Sequence, residues 1–304
     1  MLKNRNELGV NLKYLLINET DKKYGLWVNT VGSQFIQRNW SLYPAVGHPD
    51  GYAFDPKKGR VLHEYQLVYI TKGRGLFMDK SKSVTQICKG RLILLLPKQW
   101  HTYHPCQETG WDEYYIGFEG PIMDNIIKES FFFQKSQVLE IGFNEELISL
   151  YCRALEVAEA DKVSSQQYLA GIVLHMLGII LSVSKNKLFE VGEVEQKMER
   201  AKSIMVENVF KEINLEDLAS ELNFSYSWFR KVFKDYTGYA PAKYFQELKL
   251  RRAKQLLIET SLSVKEIIFM LGYNNAEHFF ALFKNNTGYT PTQYRSVMIN
   301  GVEL

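Results

Sequence analysis

Side chains suited to contacting a polyanion are concentrated in one short segment. From Phe224 to Gly238 the chain reads Phe-Ser-Tyr-Ser-Trp-Phe-Arg-Lys-Val-Phe-Lys-Asp-Tyr-Thr-Gly. Wound at about 100° per residue, Phe229, Val232, Phe233 and Tyr236 fall on one face, and Ser227, Arg230, Lys231 and Lys234 on the other. A guanidinium fork can bond two acceptors on one guanine edge, and an ammonium neutralises phosphate. The spacing therefore predicts a helix anchored by aromatics and offering a basic tip, with Arg230 flanked by Ser227, Trp228 and Lys231. Ser225 is a fitting N-cap, and Gly238 supplies the left-handed residue that ends a helix.

Such a helix needs a second element to set its angle. Leu215 to Leu222 reads as a short helix with Leu215, Leu218, Ala219 and Leu222 inward, and the segment from Asn223 to Ser225 is long enough only for a tight turn, so the pair forms a helix-turn-helix. The pattern then returns. Val264 to Gly272 matches the first helix and Tyr273 to Gly288 the second, with a turn one residue longer. Phe229, Phe233, Lys234, Thr237, Gly238 and Pro241 recur as Phe279, Phe283, Lys284, Thr287, Gly288 and Pro291, each fifty positions on. Two copies are fewer than the three or so that a solenoid needs. In the second copy the outward positions are Glu277, Phe280, Ala281 and Lys284, with Asn275 and His278 nearby. These offer apolar contact to thymine methyls and single hydrogen bonds, but no basic fork.

The two helix-turn-helix copies, with the endings Thr237-Gly-Tyr-Ala-Pro241 and Thr287-Gly-Tyr-Thr-Pro291 followed by Tyr294-Arg295, resemble the AraC/XylS family of bacterial transcription regulators over roughly residues 195 to 297. The resemblance implies two DNA-reading lobes joined by a long linker helix. The segment from Pro241 to about Thr260 supplies it: Tyr244, Phe245, Leu248, Leu250, Ala253, Leu256 and Leu257 cover more than half its circumference, as a helix sandwiched between lobes requires. Double-stranded DNA and a small-molecule effector are the partners the family implies, with RNA polymerase as a further candidate.

The whole chain has 304 residues, enough for two domains, with the 46% apolar and 23% charged composition of a globular protein. A net charge of +3 does not announce nucleic acid, but between Phe224 and Leu257 eight Lys and Arg stand against Asp235 and Glu247 alone. Cys88, Cys106 and Cys152 lack metal-ligand or C-x-x-C spacing and read as reduced thiols, consistent with a cytoplasmic setting. The first residues lack the apolar core of a signal peptide. No uninterrupted apolar run of membrane-spanning length is read, so no membrane partner is expected.

Upstream, short segments rich in β-formers alternate with glycine. After turn chemistry from Phe54 to Gly59, a strand from Glu64 to Thr71 is expected to stop at a hairpin, Lys72-Gly-Arg-Gly75, and to return at Leu76 to Met78. Further strands are expected at Val84 to Cys88, Gly90 to Leu96 and Trp111 to Phe118. The segment from Gly90 to Pro97, with Trp100-His101 and Tyr103, is similar to the second motif of cupin barrels, as in the arabinose-binding domains of the same family. The expected fold class is therefore α+β in two domains: a cupin-like β-barrel sensor with two packing helices at 1–185, a linker at 186–194, and a double helix-turn-helix domain at 195–304. By similarity to the sugar-sensing members, Arg38, Trp100, Tyr103, Glu113 and Tyr115 would line an effector pocket. Glu113 and Tyr115 stand where the arabinose sensor has histidine and tryptophan, which implies a different effector, with carbohydrate as the class.

Metal-dependent cupin enzymes use an H-x-H pair with a glutamate and a further histidine. His63-Glu64-Tyr65, His101 and His104 do not form that set, and no catalytic motif occurs elsewhere, so neither cofactor nor metal is expected and the chain is read as a regulator rather than an enzyme. A cupin enzyme with a DNA-binding tail and a ligand-independent architectural DNA binder stay open as alternatives. Helices are expected at Asn144 to Ala160 and Ser164 to Ser184. The second is apolar on nearly all sides, with one face for the barrel and another, including Ile180, for a second subunit; a buried core helix of the monomer stays open as the alternative.

Overall fold

The strands of the N-terminal half read as nearly unbroken apolar runs because both faces of the sheet are covered. The computed structural model describes residues 10–41, 43–44, 52, 55–129, 136–186 and 193–300. The chain divides into two units, Met1–Asn186 and Lys187–Leu304. The expected turn residue Phe54 and most of the expected linker, 187–192, lie outside the described residues.

The first unit runs β1 (Val10–Tyr14), α1 (Glu19–Lys23), β2 (Trp27–Ile36), β3 (Arg60–Val61), β4 (Tyr65–Met78), β5 (Val84–Cys88), β6 (Arg91–Leu95), β7 (Trp100–Pro105), β8 (Trp111–Glu119), α2 (Pro121–Lys128), β9 (Val138–Glu140), α3 (Glu145–Ala160) and α4 (Ser165–Asn186). The antiparallel order is β1-β2-β8-β4-β6-β9, with β5 and β7 on the far half of β4 and β3 on β7. Leu67, Tyr69, Leu92, Leu94, Ile116 and Phe118 pack with α3 and α4. Their alternates Val68, Ile70, Ile93, Leu95 and Tyr115 turn into the barrel with Phe77, Ile87, Tyr103 and Trp111. Period-two alternation thus separates an outer core from an inner one.

Three expectations need correction here. Lys72-Gly-Arg-Gly75 is not a hairpin, and Leu76 to Met78 is not a return strand, since β4 continues through both. Gly73, at φ +82°, lies against the backbone of Gly110 and Trp111, and the register with β8 shifts between Ile70 and Lys72. The glycines mark a bulge and close backbone approach that lets one strand change partners, from β6 to β5 and β7. The reversal comes instead at Asp79, whose Oδ1 accepts from the amides of Ser81 and Ser83.

Ile180 is fully buried, so the outward face of α4 is Tyr168, Leu174 and His175. Moreover, Ser165–Ser184 is long and apolar enough to cross a bilayer by length and composition, with mean hydropathy 1.7. In the fold it is a packing helix: Leu169, Val173, Met176 and Leu177 are buried against the sheet, and Gln166 exchanges two 3.0 Å hydrogen bonds with the backbone of Val28.

The second unit comprises α5 (Glu193–Glu207), α6 (Leu215–Glu221), α7 (Tyr226–Thr237), α8 (Pro241–Glu259), α9 (Val264–Met270), α10 (Ala276–Thr287) and α11 (Pro291–Asn300). One core gathers Met198, Ala201, Met205, Leu218, Ala219, Leu222, Phe229 and Phe233, with Tyr244, Phe245 and Leu248 from the start of α8. The other gathers Ile267, Ile268, Leu271, Phe279 and Phe283, with Leu250, Ala253, Leu256 and Leu257 from its end. One helix therefore serves two lobes, which is why its apolar residues run most of the way round.

Candidate nucleic-acid interface and effector chamber

Each recognition helix is set by the same local devices. The Ser225 side chain accepts from the amide of Trp228, and Gly238 closes α7 at φ +82°. On α10 Asn275 accepts from the amide of His278, and Gly288 closes at φ +81°. The turn before α7 needs a left-handed residue, supplied by Asn223 (φ 59°), and the turn before α10 uses Gly272 (φ 68°). Phe229, Phe233, Phe279 and Phe283 are fully buried and fix the rotation of each helix, so the opposite faces must point outward.

On α7, Ser227, Trp228, Arg230, Lys231 and Lys234 are all exposed. Among the described residues none of the three cations is held in an ion pair. Arg230 lies 5.9 Å from the Tyr226 ring centre, and Trp228 packs on Phe224 with centroids 4.3 Å apart. On α10, Glu277, His278, Phe280 and Lys284 are exposed, and the Phe280 ring meets that of Phe279 edge-on. Asn275 spends its amide oxygen on the cap, leaving its amide nitrogen outward. The lobes are tied across α8 by the 2.8 Å hydrogen bond from Asn274 to Glu212, and by Lys249, which is buried between the rings of Phe245 and Tyr273.

Inside the barrel, Tyr103, Glu113 and Tyr115 point inward and are almost fully buried. Register places Glu113 beside Gln34 and Ile70, and Tyr115 beside Gly32, where the absent Cβ leaves room for the tyrosine hydroxyl. With Tyr14, Tyr43, Tyr52, Arg60 and Gln66, Tyr103 and Tyr115 surround an inner cavity of only about 10 Å³. Arg38 is exposed and lines neither this cavity nor the larger one beside it; Trp100 lines the larger one. The guanidinium in the barrel is that of Arg60, which donates to the Tyr103 hydroxyl (2.8 Å) and to the carbonyl of Tyr52. Burial raises the Glu113 carboxyl to about 8, opposed by its bond with Tyr43, and raises Glu64 to about 7. Burial, then the charge of Arg60, lowers His101 to about 4. Near neutral pH the barrel thus holds a protonated Glu113, which can donate as well as accept, and a neutral imidazole. His63 is exposed, and among the described residues no three His, Cys, Asp or Glu side chains gather in a metal-binding arrangement.

A model of the AraC-like ligand-binding domain matches residues 39–189, and a model of a helix-turn-helix domain matches residues 218–296. The chain belongs to the AraC-type transcriptional regulators. It is 25% identical to the Msm operon regulatory protein of Streptococcus mutans over 94% of this chain and 98% of that protein. It is 25% identical to the lactose operon transcription activator of Staphylococcus xylosus, over 82% and 88% of the two chains. With the raffinose operon regulatory protein RafR of Pediococcus pentosaceus the identity is 26%, over 79% and 87%. An AraC-type regulator of this architecture binds DNA through its helical unit and a small molecule through its sheet-rich one.

Sequence reasoning missed several parts of this AraC-type chain. Arg60, Tyr43 and Gln34 carry no local motif: Tyr43 and Gln34 meet Glu113, and Arg60 meets Tyr103, only through strand pairing and loop packing. Helix α5 carries no motif of its own, but a signal is present: Arg200-Ala201-Lys202 recurs as Arg252-Ala253-Lys254, and Ala201 and Ala253 are both fully buried, each in its own lobe.

Proposed function

We propose that this AraC-type regulator reads a specific DNA sequence through α7 and α10 and is switched by a carbohydrate bound in its sheet-rich unit. The observation that carries the first part is the outward face of α7, where Arg230, Lys231 and Lys234 are exposed on a helix whose rotation the buried phenylalanines fix. Arg230 is assigned to a guanine edge, with Ser227 and Trp228 beside it and Lys231 and Lys234 on phosphates. On α10, Phe280 is assigned to a thymine methyl, Asn275, Glu277 and His278 to single base or backbone contacts, and Lys284 to phosphate. The carbohydrate assignment is supported by the sensor's hydroxyl-bonding and aromatic side chains and by the similarity to regulators of raffinose and lactose operons. We assign residues 1–185 to sensing and dimerisation through the outward face of α4, 186–194 to the linker, and 195–304 to DNA. RNA polymerase is the assigned partner at promoters, and the cytoplasm is the site of action.

The test is selection of bound duplexes from a random library by the full chain, repeated with Arg230→Ala and with a sugar panel. The expected result is one enriched motif, lost guanine preference in the variant, and altered affinity with some sugar. Enrichment of no motif overturns the DNA reading, and indifference to every sugar overturns the carbohydrate reading.

A further inference from the structure

The inner cavity, at about 10 Å³, has room for no more than one water molecule. Against it lies an outer chamber of about 800 Å³, within the roughly 300–1,000 Å³ span of small-molecule sites. One side chain, Tyr43, lines both. It is buried with its hydroxyl 3.1 Å from Glu113 Oε2, and its ring meets those of Trp40, Tyr103 and Trp111 edge-on. Tyr43 is therefore the floor of the outer chamber and the roof of the inner one.

The outer chamber is built for a hydroxylated ligand longer than one ring. Trp100 is held in place: its indole nitrogen donates to the carbonyl of Lys58 at 3.0 Å, and its six-membered ring lies on Gly59, at φ +71°, where any Cβ would strike it. A fixed indole is a stacking platform, and one face of it now carries the Lys82 ammonium, 3.0 Å from the ring centre, in the place a sugar face would take. Trp40 stands in the same chamber, and its indole N–H, out of solvent, has no hydrogen-bond partner among the described residues. Ser41, Asp55, Thr102, His104, Gln107 and Glu108 add the polar groups that sugar hydroxyls require.

We propose that the effector is an oligosaccharide of two or three sugar units that lies in the outer chamber across Trp100 and Trp40, with Tyr43 beneath it. This rests on the carbohydrate reading above and narrows it. A single hexose would leave most of the outer chamber unfilled, and the inner cavity admits none while Tyr43 is in place. Lys82 swings from the Trp100 face as the sugar arrives, and the contact with Tyr43 is the route by which occupancy reaches Glu113 and the barrel interior.

Calorimetric titration of the full chain with lactose, melibiose and raffinose, and with glucose and galactose, tests this. At least one oligosaccharide is expected to bind ten-fold or more tightly than either monosaccharide. Trp100→Ala should weaken that binding at least ten-fold, Trp100→Phe should retain most of it, and both should show the unchanged circular dichroism of a folded chain. Binding of a monosaccharide as tight as any oligosaccharide, or a folded Trp100→Ala variant with unchanged affinity, overturns the proposal while leaving the carbohydrate reading intact. Binding of no sugar in the panel overturns both.

Discussion

The two helix-turn-helix lobes share a scaffold and differ in what they present. Phe229 and Phe233 have exact counterparts in Phe279 and Phe283, and the edge contact of Phe233 with Tyr244 (5.2 Å) repeats as Phe283 with Tyr294 (5.4 Å). Thr237 and Thr287 each donate to the carbonyl one turn back and accept from the amide of Tyr239 or Tyr289. Outward, the likeness ends. Where α7 shows Ser227, Arg230 and Lys231, α10 shows Glu277, Phe280 and Ala281. On the short helices the difference repeats, since Ser220 and Glu221 of α6 answer to Phe269 and Met270 of α9, with Phe269 84% exposed. The inward positions obey one packing problem solved twice. The outward ones are free to diverge, so the second lobe carries apolar surface and a carboxylate where the first carries cations.

If the cores are equivalent, Phe229→Ala and Phe279→Ala should each cost about 3–5 kcal/mol in denaturant unfolding followed by the helical signal; a loss confined to one of them breaks the comparison. The outward faces should then respond unequally. Arg230→Ala is expected to cost about 1–3 kcal/mol of specific binding and to relax the preference at one guanine. Phe280→Ala should cost less than about 1 kcal/mol, and base-by-base substitution of a selected operator reads both effects. Equal loss from Arg230→Ala on specific and random duplexes would reassign that residue to phosphate.

Smaller and again symmetrical are the caps: Ser225→Ala and Asn275→Ala should each remove about 1 kcal/mol of stability. Asn275→Ala should also weaken DNA binding beyond its stability effect, because the amide nitrogen of Asn275 is not used by the cap and is open to a base edge. Smallest is Glu277→Gln, expected to strengthen binding by a few tenths of a kcal/mol, with the gain shrinking as salt rises, because it removes one repulsion from phosphate. Weaker binding would mean that Glu277 accepts from a cytosine amino group.

In the helical unit, local rules carried most of the information. Helical period, caps, a glycine at each helix end and a fifty-residue recurrence are all properties of short segments, and the exposure of Ser227, Arg230, Lys231 and Lys234 follows once Phe229 and Phe233 are inside. The sequence by itself thus determined the double helix-turn-helix, the shared linker helix and the unequal outward faces. The sensor is different because its interior is assembled from segments far apart in the chain. Arg60 on β3 reaches Tyr103 on β7, and Tyr43 in a loop reaches Glu113 on β8, only through register and packing, so nothing local in the sequence separates Arg38 from Arg60. The glycines at Gly73 and Gly75 read as a turn until the close approach of Gly110 and Trp111 showed a bulge. Helix α4, apolar nearly all round, has no periodicity to say which side is out, and only packing against the sheet turned Ile180 inward and Leu174 outward. Tertiary structure decided these points because each depends on which distant backbone lies alongside, and that is set by the whole fold's burial of apolar surface rather than by any local preference.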